Sequence, residues 1–207
     1  MEPSSHWNEV YSTRRVDAVS WYQPHATLSL ELIGRIARSL DAIPTVIDVG
    51  AGASTLVDDL LERGLAKVGV LDISGAALRI AQQRLGSTRA AQVHWIEGNI
   101  TTVALAAHSV DVWHDRAVFH FLTDPQDRAA YVAQVRRAVR PGGHVIVAAF
   151  APDGPVQCSG LPVVRYAPEA LHAEFGGSFE LLEHLREDHH TPAGTVQHFV
   201  YCHCVMH

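Results

Sequence analysis

One short segment, residues 46–54 (VIDVGAGAS), has the residue types and spacing of a ligand-binding turn. An apolar run ends there in Asp48, and the closely spaced Gly50 and Gly52 follow. This pattern predicts a strand that turns sharply into a helix, because glycines let a ligand lie against bare backbone at a helix N-terminus. Ser54 and Thr55 follow, so the third glycine of a dinucleotide fingerprint is absent. The segment predicts a site for a nucleoside-containing cofactor and favours an adenosyl amino acid over NAD.

Strand and helix signals alternate along the chain and must position this turn. Helices are predicted at residues 28–40, 54–63, 75–85 and 127–139, with residues 140–143 (RPGG) as the stop of the last one. Strands are predicted from residue 46 and at residues 67–73, 93–98, 110–114 and 144–150. The alternation predicts an α/β fold whose mostly parallel sheet has helices on both faces. Residues 179–187 and 196–205 are joined too tightly for a crossover helix and predict an antiparallel hairpin.

The composition limits the classes of protein. The 207 residues, 47% hydrophobic and 18% charged, suit one compact domain that buries a full sheet. The net charge of -6 argues against a broad nucleic-acid surface. No apolar segment approaches the roughly 18 residues of a membrane span, and the N-terminal residues do not resemble a signal peptide. Three cysteines give no even disulfide framework. We therefore expect a cytoplasmic protein that does not associate with membranes.

Four features in order resemble the class I S-adenosylmethionine-dependent methyltransferases. They are the acid before the glycines, Asp72 at the end of the second strand, the HDR triplet at 114–116 and the terminal hairpin. The resemblance covers nearly the whole chain from Val46 onward. It implies a Rossmann-like three-layer sandwich with a seven-stranded sheet in the order 3-2-1-4-5-7-6 and an antiparallel strand 7. It also implies S-adenosyl-L-methionine as cofactor and S-adenosyl-L-homocysteine as product.

The resemblance assigns cofactor contacts to particular side chains. Asp72 stands 22 residues after Gly50, where the family has an acid that binds the ribose hydroxyls. Ile73 is expected to pack on the adenine, and Asn99 replaces a frequent aspartate that contacts the adenine amino group. Asn99 is expected to accept through its carbonyl. The full cofactor-binding prediction is Trp21, Asp48, Gly50, Ala51, Gly52, Asp72, Ile73, Asn99, Ile100 and Asp115.

Catalysis by methyl transfer needs alignment and exclusion of water, and no metal ion. We predict Asp115 and His120 as catalytic residues because they follow the fourth strand at the expected crevice. The alternatives are that Asp115 caps the next helix and that His120 is a hydrogen-bonded wall residue. Substrate contacts are predicted for Tyr11, Tyr22, Arg116 and Phe119.

The aromatic N-terminal segment is predicted to cover the cofactor. Residues 1–26 hold Trp7, Tyr11, Trp21 and Tyr22, whose ring faces would attract a sulfonium cation. Residues 27–207 would form the methyltransferase domain. The alternative is a helix that packs on the edge of the sheet.

The sequence leaves the methyl acceptor open. HWNEVY, WHDRAVFHFL and DGPVQCSGLPVVRY resemble a small bacterial branch related to the elongation-factor lysine methyltransferases. We expect a small-molecule acceptor, with protein lysine as the alternative, and a monomer or weak homodimer. Two other hypotheses are a non-catalytic S-adenosylmethionine-binding module and an NAD-dependent oxidoreductase. The oxidoreductase is disfavoured because Lys67 is the only lysine available for a catalytic Tyr/Lys pair.

Overall fold

The computed structural model describes residues 3–207. The α-helices are α1 (Pro3–Thr13), α2 (Thr27–Ser39), α3 (Leu56–Glu62), α4 (Gly75–Ala90), α5 (Pro125–Ala138) and α6 (Pro168–Phe175). The strands are β1 (Thr45–Val49), β2 (Lys67–Asp72), β3 (His94–Glu97), β4 (Val110–Arg116), β5 (Val139–Phe150), β6 (Gln157–Cys158), β7 (Leu161–Pro162), β8 (Phe179–His190) and β9 (Val196–Met206). Short 3₁₀ helices span Val16–Ala18 and Phe119–Phe121. Within residues 3–207 no helix is both long and apolar enough to cross a membrane.

Seven strands form one sheet in the order β3-β2-β1-β4-β5-β9-β8, and β6 and β7 form a separate small hairpin. The pairs among β1 to β5 are parallel, whereas β9 is antiparallel to both β5 and β8. Counted along the chain within the large sheet, this is the order 3-2-1-4-5-7-6 with an antiparallel last strand. The predicted fold class, strand order and terminal hairpin are confirmed.

The two faces of the sheet bury separate apolar cores. In β1, Val46 belongs to one core, whereas Ile47 and Val49 belong to the other. In β4, Val112 and Trp113 divide in the same way. Successive side chains of a strand point to opposite faces, so a strand covered by helices on both sides must be apolar throughout. This explains why the central strands read as continuous hydrophobic runs.

Register brings the ends of the central strands to one edge of the sheet. Val49 of β1 is paired with Leu71 of β2 and with Asp115 of β4. Asp72, at the end of β2, is paired with Glu97 of β3. The glycine turn after β1 therefore lies between the chain segments that follow β2 and β4, which is the crevice in which open α/β sheets bind ligands.

Several boundaries differ from the sequence prediction. Strand β5 begins at Val139, directly after α5, but its pairing with β4 shifts register between Val139 and His144, and Gly142 has a φ of 76°. The predicted stop at residues 140–143 is thus an irregular stretch at the start of the strand. Helix α4 continues to Ala90 across a break at Gly86, whose φ of 73° only glycine adopts at little cost. Helix α6 and the β6–β7 hairpin have no counterpart in the prediction, because elements of eight and two residues carry little periodicity.

Candidate active site

A cavity of about 370 Å³ lies at the edge where β1, β2 and β4 end. Three groups of residues line it, and they come from the central strands and loops, from the N-terminal segment and from the β6–β7 hairpin. They include Trp7, Tyr11, Trp21, Gly50, Asp72, Ile73, Asn99, Ile100, Thr101, Arg116, Val118, Phe121, Asp127, Cys158, Leu161 and Pro162. A smaller cavity of about 60 Å³ shares Tyr11, Trp21, Gly50 and Arg116 with it and is also lined by Tyr22, Asp48, Ala51 and His114.

The glycine turn is shaped by close contacts with neighbouring side chains. The N–H groups of Gly50 and Ala51 both donate to the carbonyl oxygen of Leu71, at 2.7 and 3.3 Å. Gly50 and Gly52 have φ values of 61° and 57°, in the left-handed region. A Cβ on Gly50 would lie 1.9 Å from a methyl carbon of Val118, and one on Gly52 would lie 2.1 Å from the Tyr11 hydroxyl.

This geometry corrects one expectation. Both glycines leave room for protein side chains, and only Gly50 also lines the cavity. Gly52 is buried beneath Tyr11 and does not line the cavity.

Asp72 is a buried carboxylate on the wall of the larger cavity. One oxygen accepts the N–H of Gly52 and the other accepts the N–H of Ser74, each at 2.7 Å. Burial raises the pKa of Asp72 to about 6, against the lowering effect of these two hydrogen bonds. Each carboxylate oxygen can accept more than one hydrogen bond. Asp72 therefore fixes the glycine turn and can still accept hydroxyl donors from the cavity.

The turn after β3 forms another part of the wall. Asn99, Ile100 and Thr101 line the cavity beside Ile73. The Asn99 side-chain oxygen accepts the backbone N–H and the hydroxyl of Thr101, at 3.0 and 2.9 Å. The oxygen is thus engaged within its own turn, and a ligand would meet the donor end of the amide. This differs from the predicted acceptor role of Asn99.

Asp115 lies beneath the cavity, inside the core. It is fully buried, and its oxygens accept the N–H groups of Val118 and Phe119 at 3.0 and 3.1 Å and the Tyr131 hydroxyl at 2.6 Å. Burial raises the pKa of Asp115 to about 7. The side chain thus holds the start of the 3₁₀ helix, which is the capping alternative considered above. The predicted catalytic and cofactor contacts of Asp115 have no support in this geometry.

Phe119 and His120 are also fully buried, and neither lines the larger cavity. Phe119 packs on Tyr131, Tyr166 and Phe175. The His120 ring lies 4.5 Å from that of Phe150, and burial lowers the pKa of His120 to about 3. His120 is therefore a neutral core residue, and the predicted catalytic and substrate contacts of these two residues have no support in this geometry.

Removing the Tyr131 hydroxyl is expected to destabilise the fold in a pH-dependent way. Trp113 donates to this oxygen at 2.8 Å, and Tyr131 donates to Asp115. The pKa of Asp115 is higher in the folded protein than in the unfolded chain. Its protonation therefore stabilises the fold fully at pH values below the unfolded pKa, and this stabilisation is lost as the pH rises through about 7. Tyr131→Phe removes the hydrogen bond to Asp115 that lowers this pKa. The free energy of unfolding should fall by about 2 kcal/mol when Asp115 is ionised. Urea unfolding should show a larger loss at pH 8 than at pH 5.

Tyr166→Phe is the matched control, because the Tyr166 hydroxyl makes only a 3.5 Å contact with Glu174. An equal loss for Tyr131→Phe at both pH values would contradict the proposed support of the Asp115 charge.

The smaller cavity contains a buried polar chain. The Nδ1 atom of His114 is 2.7 Å from Asp48, and its Nε2 atom is 2.8 Å from the hydroxyl oxygen of Ser29. All three side chains are almost fully buried. Asp48, the acid before the glycines, is therefore held by His114 at the end of β4, and both side chains line the smaller cavity.

The N-terminal segment forms a roof over the larger cavity. Trp7 packs edge-on against Trp21 and Phe121, with ring centroids 5.7 and 5.2 Å apart. The Trp21 indole donates to the Tyr11 hydroxyl at 3.2 Å. On the other side of α1, the Asn8 side-chain oxygen accepts from the hydroxyl of Ser74 and the N–H of Ala76, at 2.8 and 3.1 Å. Helix α1 is thereby attached to the N-terminus of α4.

The structure brings most of the predicted site residues together. The larger cavity collects Tyr11, Trp21, Gly50, Asp72, Ile73, Asn99, Ile100 and Arg116, and the smaller one adds Tyr22, Asp48 and Ala51. Gly52, Asp115, Phe119 and His120 are covered by other residues. The prediction lacks Phe121, Asp127, Leu161 and Pro162, which also line the larger cavity. The hairpin residues had no local signal because they come from a distant loop.

Comparison with known proteins agrees with this geometry. Residues 46–143 match the methyltransferase domain family. A malonyl-[acyl-carrier protein] O-methyltransferase of Paenibacillus sp. (strain JDR-2) is 24% identical over 131 residues, which cover 62% of this chain and 46% of the relative. An eEF1A lysine and N-terminal methyltransferase homolog of Drosophila melanogaster is 24% identical over 149 residues, covering 69% and 21%. The chain spans less than half the length of these two curated relatives.

The crystal structure of an S-adenosylmethionine-dependent methyltransferase from Anabaena variabilis superposes with a TM-score of 0.74 at 14% identity, covering 99% of this chain and 93% of that one. At this identity the similarity establishes the fold, which is that of the class I methyltransferases. Residues 46–143 of this chain therefore match the methyltransferase domain family, and the chain has the fold of the S-adenosylmethionine-dependent methyltransferase from Anabaena variabilis.

Proposed function

We propose that this chain transfers a methyl group from S-adenosyl-L-methionine to a small-molecule acceptor and releases S-adenosyl-L-homocysteine. The observation that carries the proposal is the buried Asp72 carboxylate, which fixes the glycine turn and lines the same cavity as Gly50. A carboxylate at this position suits the two hydroxyls of a ribose, since both are hydrogen-bond donors.

The remaining walls fit the other parts of that cofactor. Ile73 and Ile100 offer apolar contacts to a flat base, and the Asn99 amide offers a donor. Asp48 lies in the adjoining small cavity, where a carboxylate suits an amino group. The bound cofactor would supply a methyl group on a positively charged sulfur. The ring faces of Trp7, Tyr11 and Trp21 would stabilise that charge and exclude water.

Two ionisable side chains on the cavity wall, Cys158 and Tyr11, cannot act as a general base at neutral pH. Burial raises the pKa of Cys158 to about 11 and raises that of Tyr11 well above its usual value. Both side chains are therefore protonated at neutral pH. We propose that the chain contributes alignment and a dry environment, and that the acceptor loses its proton to solvent or arrives ionised.

Two measurements test the function. Calorimetry should detect S-adenosyl-L-homocysteine binding and no comparable binding of NADH; tight binding of NADH alone would support an oxidoreductase. The protein is then incubated with methyl-labelled S-adenosyl-L-methionine and a cell extract that is separated into small-molecule and macromolecular fractions. Label in the small-molecule fraction supports the proposal, and label on protein supports the lysine alternative. Label in neither fraction would support a non-catalytic binding module.

We also propose that residues 1–26 act as a lid that retains the cofactor. Asn8→Ala removes the acceptor that attaches α1 to Ser74 and Ala76. The loss of this helix-capping contact should weaken the attachment of α1 by about 1 kcal/mol. The release rate of S-adenosyl-L-homocysteine should therefore rise about fivefold. Stopped-flow displacement measures that rate. Thr13→Ala is the control, because the Thr13 hydroxyl bonds only to Glu9 of its own helix. An unchanged release rate in Asn8→Ala would contradict the lid.

A further inference from the structure

Arg116 is the only basic residue among the described residues that line the larger cavity. Its guanidinium donates to one oxygen of Glu187 from Nε and Nη2, at 3.1 and 2.9 Å. Nε also contacts the Tyr201 hydroxyl at 3.1 Å, and the guanidinium carbon lies 4.3 Å above the Phe199 ring. Nη1 donates to the carbonyl oxygen of Trp21 at 3.4 Å. The positive charge on this wall is therefore paired with the Glu187 carboxylate of β8.

Glu187 is oriented toward Arg116 by a further hydrogen bond. The Gln23 amide donates to its other oxygen at 2.8 Å. The side chains of Arg116 and Glu187 are only 9% and 13% exposed. Burial by itself would raise the pKa of Glu187, but the charge of Arg116 and the hydrogen bonds outweigh it and lower that pKa. Glu187 is thus ionised at neutral pH, and the pair is neutral as a unit.

The roof side of the cavity offers an apolar surface. Trp7, Trp21 and Phe121 contribute aromatic rings, and Leu161 and Pro162 contribute aliphatic surface from the hairpin. The other charged residues on the walls, Asp72 and Asp127, are acidic. A carboxylate or phosphate on an acceptor would therefore meet acidic groups and a cation that is already neutralised.

We propose that Glu187 determines the class of acceptor: by neutralising Arg116, it makes the cavity accept an uncharged, largely apolar molecule and reject one with a carboxylate or phosphate. This inference rests on the proposed function, because it concerns the acceptor of the same site. If one partner of a buried ion pair is removed, the other charge is left uncompensated and becomes a partner for a ligand of opposite charge.

The test compares two flat probes of similar size, 2-naphthol and 2-naphthoate, by calorimetry with and without saturating S-adenosyl-L-homocysteine. Wild-type protein should bind 2-naphthol about tenfold more tightly than 2-naphthoate. Glu187→Gln should bind 2-naphthoate about tenfold more tightly than wild type, with its affinity for 2-naphthol nearly unchanged. Glu187→Asp keeps the charge and should keep the wild-type preference.

Glu183→Gln is the matched control, because Glu183 also pairs with an arginine, Arg35, but neither residue lines the cavity. Equal affinity of wild-type protein for both probes, or no binding of either, overturns the inference. So does an equal loss for both probes in Glu187→Gln, which would indicate a purely structural ion pair. If Glu187→Gln does not fold, the inference is still tested by the ratio of the two probe affinities in wild-type protein and in Glu187→Asp. If the protein did not bind S-adenosyl-L-homocysteine but still preferred 2-naphthol to 2-naphthoate, the proposed function would be contradicted and the inference about Glu187 would not.

Discussion

Asp72→Asn is expected to weaken S-adenosyl-L-homocysteine binding by about 100-fold or more, since hydrogen bonds to a charged group contribute about 1.5–3 kcal/mol each. The substitution acts in two ways. It removes the charge that would accept the ribose hydroxyls. It also places an amide NH₂ against one of the two N–H groups, of Gly52 and Ser74, that now donate to separate oxygens. Calorimetry on the purified variant measures the loss.

The pH dependence gives an internal check on this prediction. The pKa of Asp72 is about 6 in the free protein, so wild-type affinity should fall as the pH drops below 6 and the carboxylate is protonated. Asp72→Asn should abolish that dependence. Asp153→Asn is the control, because Asp153 is 54% exposed and pairs with Arg186 at the surface. Wild-type affinity in Asp72→Asn would contradict the assigned role.

Gly52→Ala is the second substitution with a large expected effect. Its φ of 57° costs a non-glycine residue about 1–2 kcal/mol, and the new Cβ would lie 2.1 Å from the Tyr11 hydroxyl. Relief of that overlap must displace Tyr11 from the roof or distort the turn, so we expect a total loss of about 2–4 kcal/mol in stability. Cofactor affinity should fall with it. Urea unfolding and calorimetry measure the two effects.

Gly64→Ala separates the two contributions. Gly64 has a φ of 59°, but a Cβ there has no heavy atom within 4 Å, so this variant pays only the backbone cost. The double variant Gly52→Ala/Tyr11→Phe removes the overlapping oxygen and should recover part of the stability that Gly52→Ala loses. If Gly52→Ala and Gly64→Ala were equally stable, the proposed contact between Tyr11 and the turn would be wrong.

The fold could be predicted largely from the sequence because its signals are local. The turn at 46–54, the alternation of strands and helices, and the short joint before β9 are each read from neighbouring residues. The strand order and the role of Asp72 came from the resemblance to the class I methyltransferases. The roof contacts and the hairpin wall could not be predicted in the same way. Leu161 and Phe121 meet in the cavity only after the chain has folded.

Asp115 shows why the predicted catalytic residues were less reliable. His114 and Arg116 point to the face of β4 that carries the small cavity, whereas Asp115 points with Trp113 toward Tyr131. Alternation along a strand puts adjacent residues on opposite faces. In a strand that is buried on both faces, the hydrophobic pattern does not show which side chains face the cavity and which face the core. The expectations of a cytoplasmic location and of a monomer or weak homodimer stay predictions.

The placement of the tryptophans gives the protein a built-in optical reporter. Of the four tryptophans, Trp7 and Trp21 line the cavity, whereas Trp113 is fully buried and the Trp95 indole bonds to the carbonyl oxygen of Ala90. Intrinsic fluorescence should therefore respond to occupancy of the cavity over a constant background from the other two indoles. Ligands could then be screened on the unlabelled chain.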